Sequence, residues 1–358
     1  MDSISALFLE LIQVALDNRK ELSKIPSEKE WKELFLMAQK QSVVGVAFGA
    51  LETLSSKEQQ IPKGVLFEWI ALAEQIKRQN LVVNKRCIEI TKLFKDAGFD
   101  TCILKGQGNA KMYPNPLSRT SGDIDIWTFG ERDEITKYVK DRTPNVFEQY
   151  HHIDFPIYKD VPVEVHYTPG KLLNPKYNKR FQEWCHDISI ELKDIEEVDG
   201  YRAPSVDFNV IYQMSHILYH FFVEGIGLRH FIDYYYVLKH FDASSKKEEV
   251  RETFCWLGLE KFAKGVMWIE KEVLGIDEQY LILEPDERIG MLILNEMMEG
   301  GNFGHHDERY KSRNNGLLAR GITDIYRLIK LMPYFPDLVL WKIWNKIENQ
   351  RWKIKSIS

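Results

Sequence analysis

The first 96 residues are patterned for helices. Apolar side chains at Leu7, Leu11, Val14 and Ala15, and again at Trp31, Leu34, Phe35 and Ala38, recur at the spacing that lines one helix face, with no β-branched alternation between them. From Pro62, the positions Leu66, Trp69, Ile70, Ala73, Ile76, Leu81, Ile88 and Phe94 continue without a breaker to Gly98. This predicts one long helix that starts at Ile61-Pro62 and stops at a glycine C-cap.

At residue 99 the texture changes. Phe99 to Leu104 is a short apolar run of β-formers followed by Lys105-Gly106-Gln107-Gly108 and a helix-like Asn109 to Met112, which predicts strand, glycine turn and helix start. Asp123-Ile124-Asp125-Ile126-Trp127-Thr128 alternates carboxylate and hydrophobe with a period of two, and Val161 to Tyr167 does the same around Glu164 and His166. Between them, Glu131 to Asp141 reads as a helix and Phe147 to Tyr158 as one or two strands. Ile188 to Ala203, with Asp199-Gly200 as a hairpin signal, is expected to close the unit as an antiparallel pair.

Helical periodicity returns behind Ser205, an N-cap before Val206 to Val223, and runs through Leu228 to His240 and Lys246 to Leu274 to the C-terminus. The pattern predicts an α+β chain in three parts: an N-terminal helical region (1–96), a small mixed-sheet α/β core (97–203) and a C-terminal helical domain (204–358). There is no internal repeat, and Gly300-Gly301-Asn302-Phe303-Gly304 is the one glycine-rich loop among the later helices.

Composition narrows the class. With 358 residues, 44% hydrophobic and 28% charged, the chain suits two or three folded units and excludes collagen-like or wholly disordered readings. Its 48 basic and 53 acidic residues give a net charge of -5, which lacks the basic footprint of a bulk nucleic-acid binder but admits a nucleotide. Cys87, Cys102, Cys185 and Cys255 stand far apart, without the spacing of a zinc site or disulfide framework, and read as reduced core thiols. The N-terminus lacks a basic region and no apolar run reaches membrane-spanning length, so a cytoplasmic location without a membrane span is expected.

The chemistry concentrates in Gly122-Asp123-Ile124-Asp125-Ile126. On a strand, Asp123 and Asp125 point to one face and Ile124 and Ile126 to the other, so two carboxylates repel unless a cation sits between them. Mg²⁺, held by carboxylates, waters and substrate phosphates, suits such a site; two solvated aspartates on an exposed strand are the plainer alternative. Eighteen residues upstream, Lys105-Gly106 closes a strand and opens a helix, where free backbone N–H groups and a lysine suit phosphate. Forty-one residues beyond Asp123, Glu164 adds a third carboxylate on another strand of the same unit.

Leu104-Lys105-Gly106, Tyr113-Pro114, Arg119, Gly122-Asp123-Ile124-Asp125 and Val163-Glu164-Val165-His166, in this order, resemble the pattern of the bacterial uncharacterised nucleotidyltransferase family, within the DNA polymerase β-like nucleotidyltransferase superfamily. The resemblance covers about residues 97–240, including Leu228-Arg229-His230-Phe231-Ile232-Asp233. It implies a mixed sheet with flanking helices and metal-dependent transfer of a nucleoside monophosphate from a nucleoside triphosphate, ATP among them, to a small-molecule or protein acceptor. Asp123, Asp125 and Glu164 would then hold two Mg²⁺ ions, with Glu164 completing the second site or accepting the acceptor's proton. Lys105, Gly106, Gln107 and Arg119 would bind the nucleotide, Arg119 through a bidentate fork; a surface turn residue is its alternative. His166 would orient Glu164 or touch the acceptor, against the alternative of a satisfied structural histidine.

One feature departs from the superfamily. It usually places Gly-Ser after the first strand, whereas here Lys105-Gly106-Gln107-Gly108 lacks that hydroxyl, and Gln107 or Lys105 would replace its contact. A catalytically silent nucleotide-binding sensor, or a helical interaction protein that keeps the α/β unit as scaffold, are accordingly the rival functions.

Other polar clusters read as structural. His151 and His152 are adjacent, so on a strand at most one reaches any one site, and with Asp154 they suggest a surface strand. His305-His306-Asp307 lacks a helical metal-binding pattern, and Cys185-His186-Asp187 lacks accompanying ligands. Phe221-Phe222 and Tyr234-Tyr235-Tyr236 are expected in the core, or else lining an acceptor pocket. Residues 337–358 carry Lys342, Lys346, Arg351, Lys353 and Lys355 around Trp341, Trp344 and Trp352, which predicts a terminal helix packed by its tryptophans, with an anionic lipid surface or RNA as alternatives.

Overall fold

The helical periodicity of the N-terminal region becomes four helices: α1 (Ser3–Ala15), α2 (Glu28–Lys40), α3 (Val44–Thr53) and α4 (Lys63–Asp96). The computed structural model describes residues 2–55, 60–192, 195–301 and 325–355, with side chains up to 346. Ser27 and Glu30 close a capping box on α2, and α4 stops where Gly98 takes a positive φ of 88°.

The α/β core then supplies β1 (Asp100–Leu104), α5 (Gly106–Ala110), β2 (Ile124–Phe129), α6 (Arg132–Arg142), β3 (His152–Asp154) and β4 (Val163–His166). The strands form one mixed sheet in the order β1-β2-β4-β3, with β2 and β4 parallel and both outer pairs antiparallel. Together with the flanking helices this makes the architecture α+β. Ile103, Ile124, Ile126, Val163 and Val165 pack one sheet face against α4 and α6. On the opposite face, the register sets Asp125 beside Glu164, Asp154 beside Glu164, and His166 beside both Trp127 and His152. Period-two alternation therefore collects the polar chemistry of three strands on one surface.

That surface is covered by the helices α7 (Pro175–Leu192), α8 (Val206–Val223) and α9 (Leu228–His240). The Phe208 ring of α8 stacks on Trp127 at 5.8 Å. The helices α10 (Ala243–Trp256), α11 (Glu260–Trp268) and α12 (Glu287–Gly300), a helical stretch over 325–331 and a terminal helix over Pro336–Lys355 follow. One apolar cluster runs from Leu7 to Val339, so the helices on both sides of the sheet share a core. Among the described residues, no helix is long and apolar enough to cross a membrane.

Several elements differ from the sequence pattern. Asn174 accepts a hydrogen bond from the Lys176 N–H and Pro175 opens α7, so helix occupies 175–192 where the start of a hairpin was expected. The Asp199-Gly200 turn survives as a single Val198–Tyr201 bridge, and the Ile103 N–H donates to Arg202 O beside it. Asp123 lies just before β2 rather than on it, and α5 begins at Gly106 instead of Asn109. Gly258, at φ 69°, splits the segment expected to run from Lys246 to Leu274. Cys87, Cys102 and Cys185 are buried, whereas Cys255 is exposed. Trp341 packs on the core but Trp344 is exposed, so the terminal helix is only partly seated by its tryptophans. The loop from Asn302 to Gly304, His305-His306-Asp307, and the side chains of Arg351, Trp352, Lys353 and Lys355 lie outside the described residues.

After α11 the helix widens to a π turn over Ile269–Val273, which buries Glu270 completely. Neither carboxylate oxygen finds a hydrogen-bond partner among the described residues, and burial pushes the pKa well above the usual range. The folded chain therefore holds Glu270 as the neutral acid, while the unfolded chain ionises it near pH ~4.3. Unfolding releases this proton between those two pKa values, so the contribution of Glu270 to stability is undiminished below the unfolded pKa and falls as pH rises above it. The slope is at most about 1.4 kcal/mol per pH unit. Glu270→Met is expected to flatten this slope and to exceed the parent at pH ~7 by about 1–3 kcal/mol in urea unfolding. Parallel parent and variant curves between pH 5 and 8 would contradict this account of the site.

Candidate functional site

The site is built at the end of β1, where the chain must turn sharply beside β2. Leu104 pairs with Asp125, and the next residue, Lys105, adopts φ 47° and ψ -140°, a conformation that L side chains rarely take. Such a residue costs about 1–3 kcal/mol and persists only where its surroundings impose it. Three residues on, a Cβ at Gly108 would lie 2.9 Å from Ile103 O, so glycine lets α5 press against β1. The turn delivers the Lys105 ammonium to 3.0 Å from Asp125 Oδ2.

Asp125 is 3% exposed. Its other oxygen, Oδ1, lies 2.8 Å from His166 Nε2, while His166 Nδ1 lies 3.3 Å from Thr168 O. With an oxygen at each ring nitrogen, His166 donates from both as an imidazolium. Burial opposes every charge here. The opposing ions win: Lys105 and His166 hold Asp125 well below the usual carboxylate range, and Asp125 in turn raises the pKa of Lys105 and, with Glu164, that of His166.

Glu164, 30% exposed in its side chain, stands beside this group with Oε2 3.5 Å from His166 Nε2 and 3.4 Å from His152 Nδ1. Asp125, Glu164 and His166 each bring a ligand atom within 4.8 Å of the others, as do His151, His152 and His166. Asp123 belongs to neither group and is exposed, and the Asp125 charge raises its pKa. A cavity of about 200 Å³ joins Lys105, Gly106, Asp123, Asp125, Glu164 and His166, with α8 and α9 forming its opposite wall.

Two residues expected at the nucleotide take other partners. Gln107 is buried and donates its amide to Asn84 of α4, away from the cavity. Arg119 lines the cavity, but Nε and Nη2 each donate at 2.7 Å to the two oxygens of Asp233 on α9, and Tyr113 Oη donates to the same carboxylate at 2.6 Å. A phosphate contact by Arg119 would require that buried pair to exchange. Neither alternative, a surface turn for Arg119 or solvated aspartates at Asp123 and Asp125 together, describes what is found.

Other cavity residues were set aside by the sequence reading or given no role in it. His151 and His152 both reach the site, against the expectation for adjacent strand residues, because β3 starts at His152 and His151 precedes the alternation. Arg229 on α9 donates to Thr120 O at 3.1 Å near Asp123, and His216, His220 and His230 face the cavity from α8 and α9. The i,i+4 spacings of Arg229 with Asp233 and of His216 with His220 are the sequence signals by which they could have been found. Phe221, Phe222, Tyr234, Tyr235 and Tyr236 are core residues and line no part of the cavity.

The profile of a family described as uncharacterised nucleotidyltransferase matches residues 27–275, well over half of the chain. No curated protein and no solved structure matches.

The Arg119–Asp233 pair ties the turn before β2 to α9, with both side chains buried. Asp233→Ala is expected to leave the Arg119 charge uncompensated and to cost about 3–5 kcal/mol in urea unfolding. A loss below about 1 kcal/mol, the scale of exposed pairs, would show that the pair does not anchor the site.

Proposed function

We propose that this chain, which belongs to the uncharacterised nucleotidyltransferase family, binds a nucleoside triphosphate with Mg²⁺ at the Lys105 end of the sheet and transfers its nucleoside monophosphate to a hydroxyl of a small-molecule or protein acceptor. The observation that carries this reading is the Lys105 ammonium, delivered by a strained turn to 3.0 Å from Asp125 in a cavity that also holds Asp123 and Glu164. Phosphate-binding cation and metal-binding carboxylates meet at one sheet end.

The donor set fits Mg²⁺. Asp123, Asp125 and Glu164 offer hard carboxylate oxygens, and the raised pKa of Asp123 records negative charge that a divalent cation neutralises. When bound, Mg²⁺ would neutralise charge on the transferring phosphoryl group. Lys105 exchanges Asp125 for a phosphate oxygen, and the backbone N–H groups of the Lys105-Gly106 turn orient the triphosphate. Glu164, at the open side of the group, accepts the acceptor's hydroxyl proton. The acceptor oxygen bonds to the α-phosphorus, the bond from that phosphorus to the bridging oxygen breaks, and pyrophosphate leaves with its electron pair. Arg119, held by Asp233, positions α9, and Arg229 adds positive charge beside Asp123.

A nucleotide-binding sensor without turnover is the second reading. It is favoured by Lys105-Gly106 standing where the superfamily has Gly-Ser, and by Asp125 being paired with two cations.

Thermal shift with a non-hydrolysable nucleoside triphosphate and Mg²⁺ separates these readings when combined with a pyrophosphate-release assay. Stabilisation that disappears on chelation and in Asp123→Asn, whose exposed side chain leaves the fold intact, is expected. Glu164→Gln should lower pyrophosphate release by about 10²–10⁴-fold while weakening the shift less than Asp123→Asn does. A shift without release from any acceptor would support the sensor, and an equal shift in Asp123→Asn would remove both readings.

A further inference from the structure

A second cavity, of about 460 Å³, adjoins the first. The two share Lys171 and Tyr219 in their walls, and neither residue has a part in the reaction above. Small-molecule sites span about 300–1,000 Å³, so the second cavity has room for a substrate of its own. Its place follows from the sheet order β1-β2-β4-β3. Lys105 closes β1 at one edge, whereas Lys171 follows β4 and Tyr150 precedes β3, which puts the second cavity on the Glu164 side of the site.

The segment between β4 and α7 is held on both sides of Lys171. From α7, Asn178 Oδ1 accepts from the Leu172 N–H at 2.9 Å, and Gln182 Nε2 donates to Gly170 O at 3.0 Å. Asn345 of the terminal helix donates to Leu173 O at 2.9 Å. The Lys171 ammonium, by contrast, has no hydrogen bond or ion pair among the described residues and stands 5.4 Å from the Tyr219 ring centroid. Burial lowers its pKa, and the more distant Glu224 charge opposes this only in part. A partly desolvated cation without a counter-ion is costly, and an anion arriving beside it offsets that cost.

The rest of the lining narrows the ligand. Lys342 and Lys346, one turn apart on the terminal helix, add positive charge, and among the described residues no carboxylate lines this cavity. Leu172, Leu173, Pro175 and Val223 supply an apolar wall. Cation and apolar wall together suit a molecule with one anionic group and an apolar body.

We propose that the second cavity binds the acceptor, a small hydroxyl compound whose anionic group, carboxylate or phosphate, pairs with Lys171 and whose apolar body lies against Leu172, Leu173, Pro175 and Val223. The acceptor role rests on the nucleotide reading above; the binding site does not. With the anion at the junction of the cavities, a hydroxyl beside it faces the first cavity. There it loses its proton to Glu164 and bonds to the α-phosphorus as pyrophosphate leaves.

The probes are 3-hydroxydecanoate, 2-hydroxydecyl phosphate and the uncharged methyl 3-hydroxydecanoate, titrated by calorimetry into the full chain without nucleotide. One equivalent of at least one anion is expected to bind, the tighter of the two identifying the anionic group, and the ester should bind about 10–100-fold more weakly. Lys171→Met, which removes the charge, should weaken the anion by a similar factor, and Val223→Trp, which fills the cavity, should abolish binding. Both variants should keep the thermal shift with nucleotide and Mg²⁺. In pyrophosphate release, Lys171→Met should raise the KM for the acceptor by about tenfold and leave that for the nucleotide unchanged. If Val223→Trp does not fold, as judged by circular dichroism, Lys171→Met decides alone. Failure of both anions to bind, equal binding of the ester, or unchanged affinity in Lys171→Met would overturn the proposal. Displacement of the bound anion by the nucleotide analogue would also overturn it, by placing the nucleoside in this cavity. Anion binding without any nucleotide shift would reject the nucleotide reading, and the acceptor role with it.

Discussion

A carboxylate as buried as Asp125 stays ionised only if positive charge is brought to it inside the protein, because desolvation alone would protonate it. Lys105 and His166 bring that charge, one to each oxygen. Much of the α/β core follows from holding those two donors in place. Lys105 reaches Asp125 because β1 pairs with β2 in a register that sets Leu104 opposite Asp125, and because the backbone accepts a rare conformation there. His166 reaches it because β4 runs parallel to β2. Losing either donor would leave a buried charge without compensation, which is far costlier than losing an exposed ion pair.

The helices on both sides of the sheet hold this arrangement from outside. Asn80 of α4 donates its side-chain amide to Leu117 O and Arg119 O, fixing the turn before β2 from one side. Asp233 of α9 fixes the same turn from the other through the Arg119 guanidinium. The shared apolar core between N-terminal and C-terminal helices makes these two anchors parts of one frame. The cavity thus lies between a sheet whose polar face carries carboxylates and a helix pair whose polar face carries histidines.

Local signals were legible in the sequence where one element decides them. The unbroken apolar spacing of α4 to Gly98, the Ser205 cap of α8 and the alternation around Asp125 and Glu164 all describe short-range geometry, and the structure follows them. What could not be read depends on partners distant in the chain. Arg119 looks like a free phosphate-binding fork until Asp233, 114 residues later, occupies both of its arms. Gln107 sits in the right turn, but its side chain turns to Asn84. His151 escaped because the strand rule was applied one residue before the strand begins, and α7 because the hairpin signal at Asp199-Gly200 was extended back to Ile188, over the last turn of a helix. The carboxylates, Lys105 and His166 were therefore visible as a pattern, whereas the pairing of Arg119 with Asp233 and the places of His151 and His152 were visible only once the chain had folded.

In the proposed reaction, Asp125 exchanges its internal cation for a metal-bound nucleotide. A crystal structure with Mg²⁺ and a non-hydrolysable nucleoside triphosphate tests this most directly. The account predicts triphosphate density in the cavity, Mg²⁺ among Asp123, Asp125 and Glu164, and the Lys105 ammonium moved from Asp125 to a phosphate oxygen. At saturating nucleotide, Lys105 still 3.0 Å from Asp125 beside a cavity without nucleotide would contradict it.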